Sequence, residues 1–156
     1  MCAKLIGFEE DIEREFTRIH GQIDKSLQYV GAEMQSDLIG HIQNDVLKAY
    51  TPNIYVRRTT STEGKSGIPI ESEKNIDITV ENHRLTLSYE PEGERTPWNK
   101  LIKGDMFISV IEEGTGYNWN GKVPKRPFWQ LFKDEMDEKA EGIFEKGMRP
   151  YKIVKN

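Results

Sequence analysis

The chain has 156 residues, 36% hydrophobic and 31% charged, a size that suits one domain and needs no metal or disulfide staple. Its formal charge of −4 divides as −4 over residues 1–50, −1 over 51–111 and +1 over 112–156, so no segment is basic enough for nucleic-acid binding driven by counterion release, sequence-specific or general. Cys2 is the single cysteine and excludes an internal disulfide, the opening MCAKLIGFEEDIEREF turns acidic too soon for a signal peptide, and no apolar run reaches the length of about 20 residues that spans a membrane.

Residues 8–50 carry one long helical pattern. Phe8, Ile12, Phe16, Ile19, Ile23, Leu27, Val30, Met34, Leu38, Ile42, Val46 and Tyr50 recur at steps of 3 and 4, which keeps them near one face. Unbroken, such a helix would be about 65 Å long at a rise of about 1.5 Å per residue. Gly21, Gly31 and Gly40 each weaken it by roughly 1 kcal/mol relative to Ala, and a break near His20-Gly21 is expected. Thr51-Pro52 ends the pattern, because the residue before proline avoids the helical region.

Residues 53–111 read as antiparallel strands and loops. Ile54-Tyr55-Val56 suits a short strand, and Thr59 to Gly67 is a loop rich in Thr, Ser, Gly and Lys. Ile76, Ile78 and Val80 alternate with polar residues, Glu81-Asn82 turns the chain, and Leu85, Leu87 and Tyr89 alternate again, a hairpin pattern. A long connection anchored by Trp98 leads to a third expected strand over Met106–Ile111. Residues 112–127 form a second long loop, rich in glycine and aromatics. Residues 128–147 form a closing helix with apolar positions at Phe128, Leu131, Phe132, Met136, Ala140, Ile143 and Phe144, started by Pro127 and stopped at Gly147. The expectation is therefore a single α+β domain over residues 1–156: a long N-terminal helix, a small antiparallel sheet with long loops, and a C-terminal helix packed on the sheet.

Signals for catalysis are weak. Gly116 to Lys122 carries the glycine-and-lysine skeleton of a phosphate loop, but Val123 stands where a magnesium-binding hydroxyl is needed, and Pro124 and Pro127 forbid the following helix. His20, His41 and His83 lie far apart in sequence, none with a second ligand at metal spacing. Glu112-Glu113, read on a strand, point to opposite faces. The expectation is no catalytic residue, no cofactor and no metal.

The most informative stretch runs from Val110 to Phe132, VIEEGTGYNWNGKVPKRPFWQLF. Phe128 and Trp129 suit core packing at the junction of sheet and helix. Tyr117 and Trp119 sit mid-loop beside Lys125 and Arg126, and exposed aromatics beside cations are the composition of an interface hot spot. Here the chain resembles the small neck, tail-completion and minor tail proteins of long-tailed bacteriophages. The matching pieces are Ala49-Tyr50-Thr51-Pro52, then Tyr55-Val56-Arg57-Arg58, then Glu113-Gly114-Thr115-Gly116 and Arg126-Pro127-Phe128.

That resemblance implies a non-enzymatic structural subunit of the virion, made in the host cytoplasm and built into the neck or tail. It would form a ring, often six-fold, with copies of itself, and would meet other phage neck or tail proteins; head-completion, tail-terminator and connector roles stay open. Arg57, Arg58, Tyr117, Trp119, Lys125 and Arg126 are the expected interface residues, with residues 59–67 and 114–125 as docking loops. The first helix has more apolar stripe than a small sheet can cover, and the excess suits a neighbouring subunit. Two other functions compete with this one: a soluble prophage-encoded adaptor or regulatory module that dimerises through its long helix, and a virion-associated hydrolase, which would need converging polar groups.

Overall fold

The structure, a computed structural model, describes residues 8–48, 70–91, 105–114 and 125–149. Glu9, Glu10 and Asp11 occupy the first turn of helix α1 (Phe8–His41), where the partial positive charge of the helix N-terminus favours carboxylates. The helix passes through Gly21 without the expected break. One glycine costs only about 1 kcal/mol, and the turns that follow are held by burial of Gln22, Ser26, Val30 and Leu38. A π-helical turn, Ile42–Leu47, extends α1, closed by the Lys48 N–H donating to the Gln43 carbonyl at 2.9 Å. It keeps both Ile42 and Val46 buried.

The hairpin forms as its alternation dictates. Strand β1 (Ile76–Glu81) pairs antiparallel with β2 (Arg84–Tyr89) in the register Ile76↔Tyr89, Ile78↔Leu87 and Val80↔Leu85. Every apolar side chain of both strands therefore falls on one face. The turn lies at Asn82-His83, one residue later than the expected Glu81-Asn82, and both residues have positive φ, 50° and 58°. A two-stranded hairpin is marginal alone, and α1 lies against both strands. The approach is close at Gly31, where a Cβ would stand 2.7 Å from Ile78 Cγ2.

Residues Met106–Ile111, expected as a third strand, are helical: they belong to α2 (Asp105–Glu113). The β-branched run Ile108, Val110, Ile111 favours a strand locally. Burial overrides that preference, because Ile108 and Ile111, three residues apart on one helical face, both enter the core. The described sheet is thus two-stranded.

Helix α3 (Phe128–Met148) begins directly after Pro127, which offers no side-chain cap. The cap comes from α2: Glu112 Oε1 accepts the Gln130 N–H at 2.9 Å, so a carboxylate sits at the positive end of α3. Helices α1 and α3 pack antiparallel, as the pairs Asp37–Lys139, His41–Glu135 and Ser26–Gly147 show. The core lies between them, the hairpin and α2. It is built from Leu38, Ile42, Val46, Ile76, Tyr89, Ile108, Ile111, Phe128, Phe132 and Met136. Tyr89 anchors one side, donating its hydroxyl to the Ile70 carbonyl at 2.8 Å and meeting Phe128 edge-on. Burial pushes the Tyr89 phenol well above its ordinary pKa, with help from the charge of Glu71. The α+β architecture is therefore as the sequence predicts: a long first helix, a small antiparallel sheet, and a last helix packed against both.

Candidate assembly interface

The two ends of the α1–α3 pair differ sharply in cover. At one end, residues 9–21 of α1 are exposed without exception, an arm about 20 Å long at about 1.5 Å per residue. Ile12, Phe16 and Ile19 line one face of it at 37%, 59% and 38% exposure. These residues belong to the apolar stripe that buries Val30, Leu38 and Ile42 further along the same helix. An exposed Phe within a continued apolar stripe is the kind of patch that marks a contact surface. Local ion pairs hold the arm helical in solvent: Arg14 with Asp11 at 3.2 Å, and Arg18 Nε with Glu15 at 2.9 Å. The Arg18 guanidinium holds the Glu15 carboxyl below its usual range.

A brace marks where the arm leaves the body. His83, at the hairpin tip, presents Nδ1 to Asp24 at 2.8 Å and Nε2 to Nδ1 of His20, with the two rings 4.5 Å apart. Asn82-His83 is a turn that glycine would fill more easily at its second position. The histidine there brings a ring that reaches α1. Phe16 stands one turn before His20, with ring centroids 6.4 Å apart. The brace thus orients the apolar face of the arm relative to the hairpin.

At the other end lies the start of α3. Lys125 is exposed and Arg126 half-buried, the Arg126 N–H donating to the Ile111 carbonyl at 3.3 Å. Leu131, expected among the core positions of this helix, is 44% exposed. At about 100° per residue it falls roughly 100° around α3 from the middle of the stripe formed by Phe128, Phe132, Met136 and Ile143. Lys125, Pro127, Leu131, Lys133 and Asp134 are all exposed, so this end mixes an apolar side chain with charges of both signs, the Glu112 carboxylate among them. Phe128 and Trp129 take the packing role expected of them: Phe128 is fully buried and Trp129, half-buried, stacks on Tyr89 at 6.1 Å.

Of the predicted interface residues, Lys125 and Arg126 lie at this end, whereas Arg57, Arg58, Tyr117 and Trp119 lie outside the described residues. So do the 59–67 loop and all of the 114–125 loop except its two end residues, together with the Gly116 to Lys122 segment. Sequence reasoning assigned Ile12, Phe16 and Ile19 to the common stripe and did not single them out. The available signal was the density of carboxylates around them, Glu9, Glu10, Asp11, Glu13 and Glu15, which marks a solvated segment.

Glu112 and Glu113 sit on a helix, not a strand, and Glu112 serves as the cap of α3. A polar concavity of about 380 Å³ on the outer face of the hairpin is lined by Thr79, Glu81, Asn82, Arg84 and Thr86. Among the described residues, no three His, Cys, Asp or Glu side chains converge in a way that could hold a metal ion. None of the described helices is long and apolar enough to cross a membrane.

Comparison with curated proteins and with solved structures found no match. The model of the YomN family, a phage-derived family of the Bacillus prophage type, matches residues 11–150. The match takes in most of the arm, the hairpin, α2 and α3, and with them both ends of the helical pair. The chain belongs to the YomN family, and its origin is that of a phage protein.

Proposed function

We propose that this protein is a non-enzymatic structural subunit of a phage virion, placed at the junction of head and tail and acting by ring assembly. Copies of the chain, and neighbouring neck or tail proteins, are its partners. It is made in the host cytoplasm and ends in the particle. The observation that carries the reading is the exposed Ile12–Phe16–Ile19 face on an arm that the body of the protein leaves uncovered. Burying a side chain such as Phe16 contributes roughly 1.5–3 kcal/mol, which makes the arm a strong handle for a partner and a poor feature for a lone monomer. The phage-derived family and the likeness to neck and tail-completion proteins point the same way.

Deleting the gene from an inducible prophage tests the role. The expected result is full heads and finished tails that stay unjoined in electron micrographs, with infectivity restored by the wild-type gene but not by Phe16→Asp. Normal, infectious particles from the deletion strain would overturn it.

A second reading has a specific observation in its favour. The spacing of Ile12, Phe16 and Ile19, four then three residues, also suits a two-stranded coiled coil, as an adaptor dimerising through this helix would need. That reading requires a stable dimer of the purified chain and no loss of particle joining on deletion.

A further inference from the structure

We propose that the tip of the hairpin is a proton-operated latch: the His20–His83 contact holds it on α1 at neutral pH, and charging both rings releases it. The hydrogen-bond chain fixes the proton count. A carboxylate only accepts, so His83 donates from Nδ1 to Asp24 Oδ1 at 2.8 Å. A neutral His83 then has a bare Nε2, which accepts the Nδ1–H of His20. One added proton still fits, because one nitrogen of the facing pair remains able to accept. A second does not fit. With both rings cationic, Nδ1–H of His20 meets Nε2–H of His83, and two like charges stand with ring centroids 4.5 Å apart. The closed contact and the doubly charged pair exclude each other, so the open state binds more protons and acid favours it.

The surrounding charges offset one of the two positive rings at most. Asp24 is the charged group bonded to the pair among the described residues. Arg18 and Lys25 fall more than about 100° around α1 from His20. On the hairpin, Glu81 and Arg84 pair across the strands beside the turn and oppose each other in sign. From α3, Lys146 and Arg149 flank Gly147, which packs on Ser26; both are exposed cations, and neither bonds to a ring. Burial shows why the latch decides the position of the tip. Ile76 and Tyr89 at the base of the hairpin are buried, Val80 and Leu85 near the tip are half-buried, and residues 81–84 are exposed. Packing thus holds the base, and the His83 ring holds the tip. The turn residue agrees: with positive φ at Asn82 and His83, glycine would suit the second position better, and histidine gains only its reach to α1. Release uncovers Val80 and Leu85 beside the exposed face of Ile12, Phe16 and Ile19, so acid enlarges the apolar surface at the base of the arm.

Hydrogen exchange of the full chain between about pH 8 and about pH 5.5 tests this, corrected for the intrinsic pH dependence of exchange. That window spans histidine titration and stays above the ordinary aspartate range. In wild type, protection of residues 80–85 is expected to fall about five- to tenfold on acidification, the worth of one exposed hydrogen bond. Residues 37–45 should keep theirs, because His41 is held charged by Asp45 and Glu135. His20→Gln can still donate to His83 Nε2 and takes up no proton, so its tip should show no acid step. His83→Gly suits the turn and lacks the ring, so its tip should be equally insensitive to pH. Circular dichroism confirms that both variants fold. Nitrogen NMR at about pH 8 should find the His83 proton on Nδ1. No acid step in wild type, a step of equal size in either variant, or a neutral His83 with its proton on Nε2 would each overturn the proposal. Its failure leaves the virion role untouched, since that role is read from particle joining.

Discussion

His41 is held between two carboxylates, Nδ1 against Asp45 at 2.6 Å and Nε2 against Glu135 at 2.8 Å, so the ring is satisfied on both sides only when it carries both protons. Burial works against that charge, but the hydrogen bonds to Asp45 and Glu135 outweigh it, and the pKa rises above its usual 6.5. Glu135 moves the other way: Lys139 first, then His41, holds its carboxyl below the usual 4.5. A raised folded pKa gives His41 a contribution to stability that is complete below 6.5 and fades as pH rises through the folded value. A lowered one gives Glu135 a contribution that is complete above 4.5 and fades as pH falls through its folded value. The α1–α3 contact is therefore strongest between these two ordinary values. His41→Gln should remove the decline in melting temperature expected of wild type as pH rises above 6.5 through the folded value, leaving that limb flat. Thermal melts across the range check this, and an alkaline limb of equal slope in the variant would show that the charged ring does not contribute.

At the scale of elements, spacing rules worked where a face is buried against a partner the chain itself supplies. The hairpin was legible because Ile76, Ile78 and Val80 pair across the strands with Tyr89, Leu87 and Leu85. Helix α3 was legible because Pro127 opens a run with helical spacing, ending within one residue of the expected Gly147. Helix α2 was not, because Ile108, Val110 and Ile111 are residues that favour strands, and only the core they enter makes them helical. The candidate interface was half legible: cations at Lys125 and Arg126 show in the sequence, but periodicity alone cannot show where along α1 the stripe ceases to be covered. Glycines in α1 divide on the same principle. Gly40 has nothing within 4 Å of an added Cβ, so Gly40→Ala should stabilise by up to about 1 kcal/mol through helix propensity. At Gly31 an added Cβ meets Ile78 Cγ2 at 2.7 Å and Leu85 Cδ1 at 3.1 Å. Overpacking of about 1–3 kcal/mol then exceeds the propensity gain, and Gly31→Ala should destabilise by about 1 kcal/mol or more. Urea unfolding of the two variants against wild type gives the comparison, and equal stabilisation by both would mean the hairpin is not seated on α1 at Gly31.

For the whole molecule, the sign of the salt dependence tests dimerisation through the arm. The chain carries −4 overall, so like copies repel weakly at long range whatever surface they use. A coiled coil of two arms brings −3 against −3, counted over residues 9–20, along a seam of Ile12, Phe16 and Ile19. Raising the ionic strength shortens the Debye length from about 10 Å at 0.1 M to about 3 Å at 1 M, which removes that repulsion and leaves the apolar contact intact. Self-association through the arm should therefore tighten between about 0.1 M and 0.5 M sodium chloride, and Phe16→Asp should abolish it. Sedimentation equilibrium at three salt concentrations reads both. Association that weakens as salt rises would exclude a seam of two arms, because a contact between like charges gains from screening.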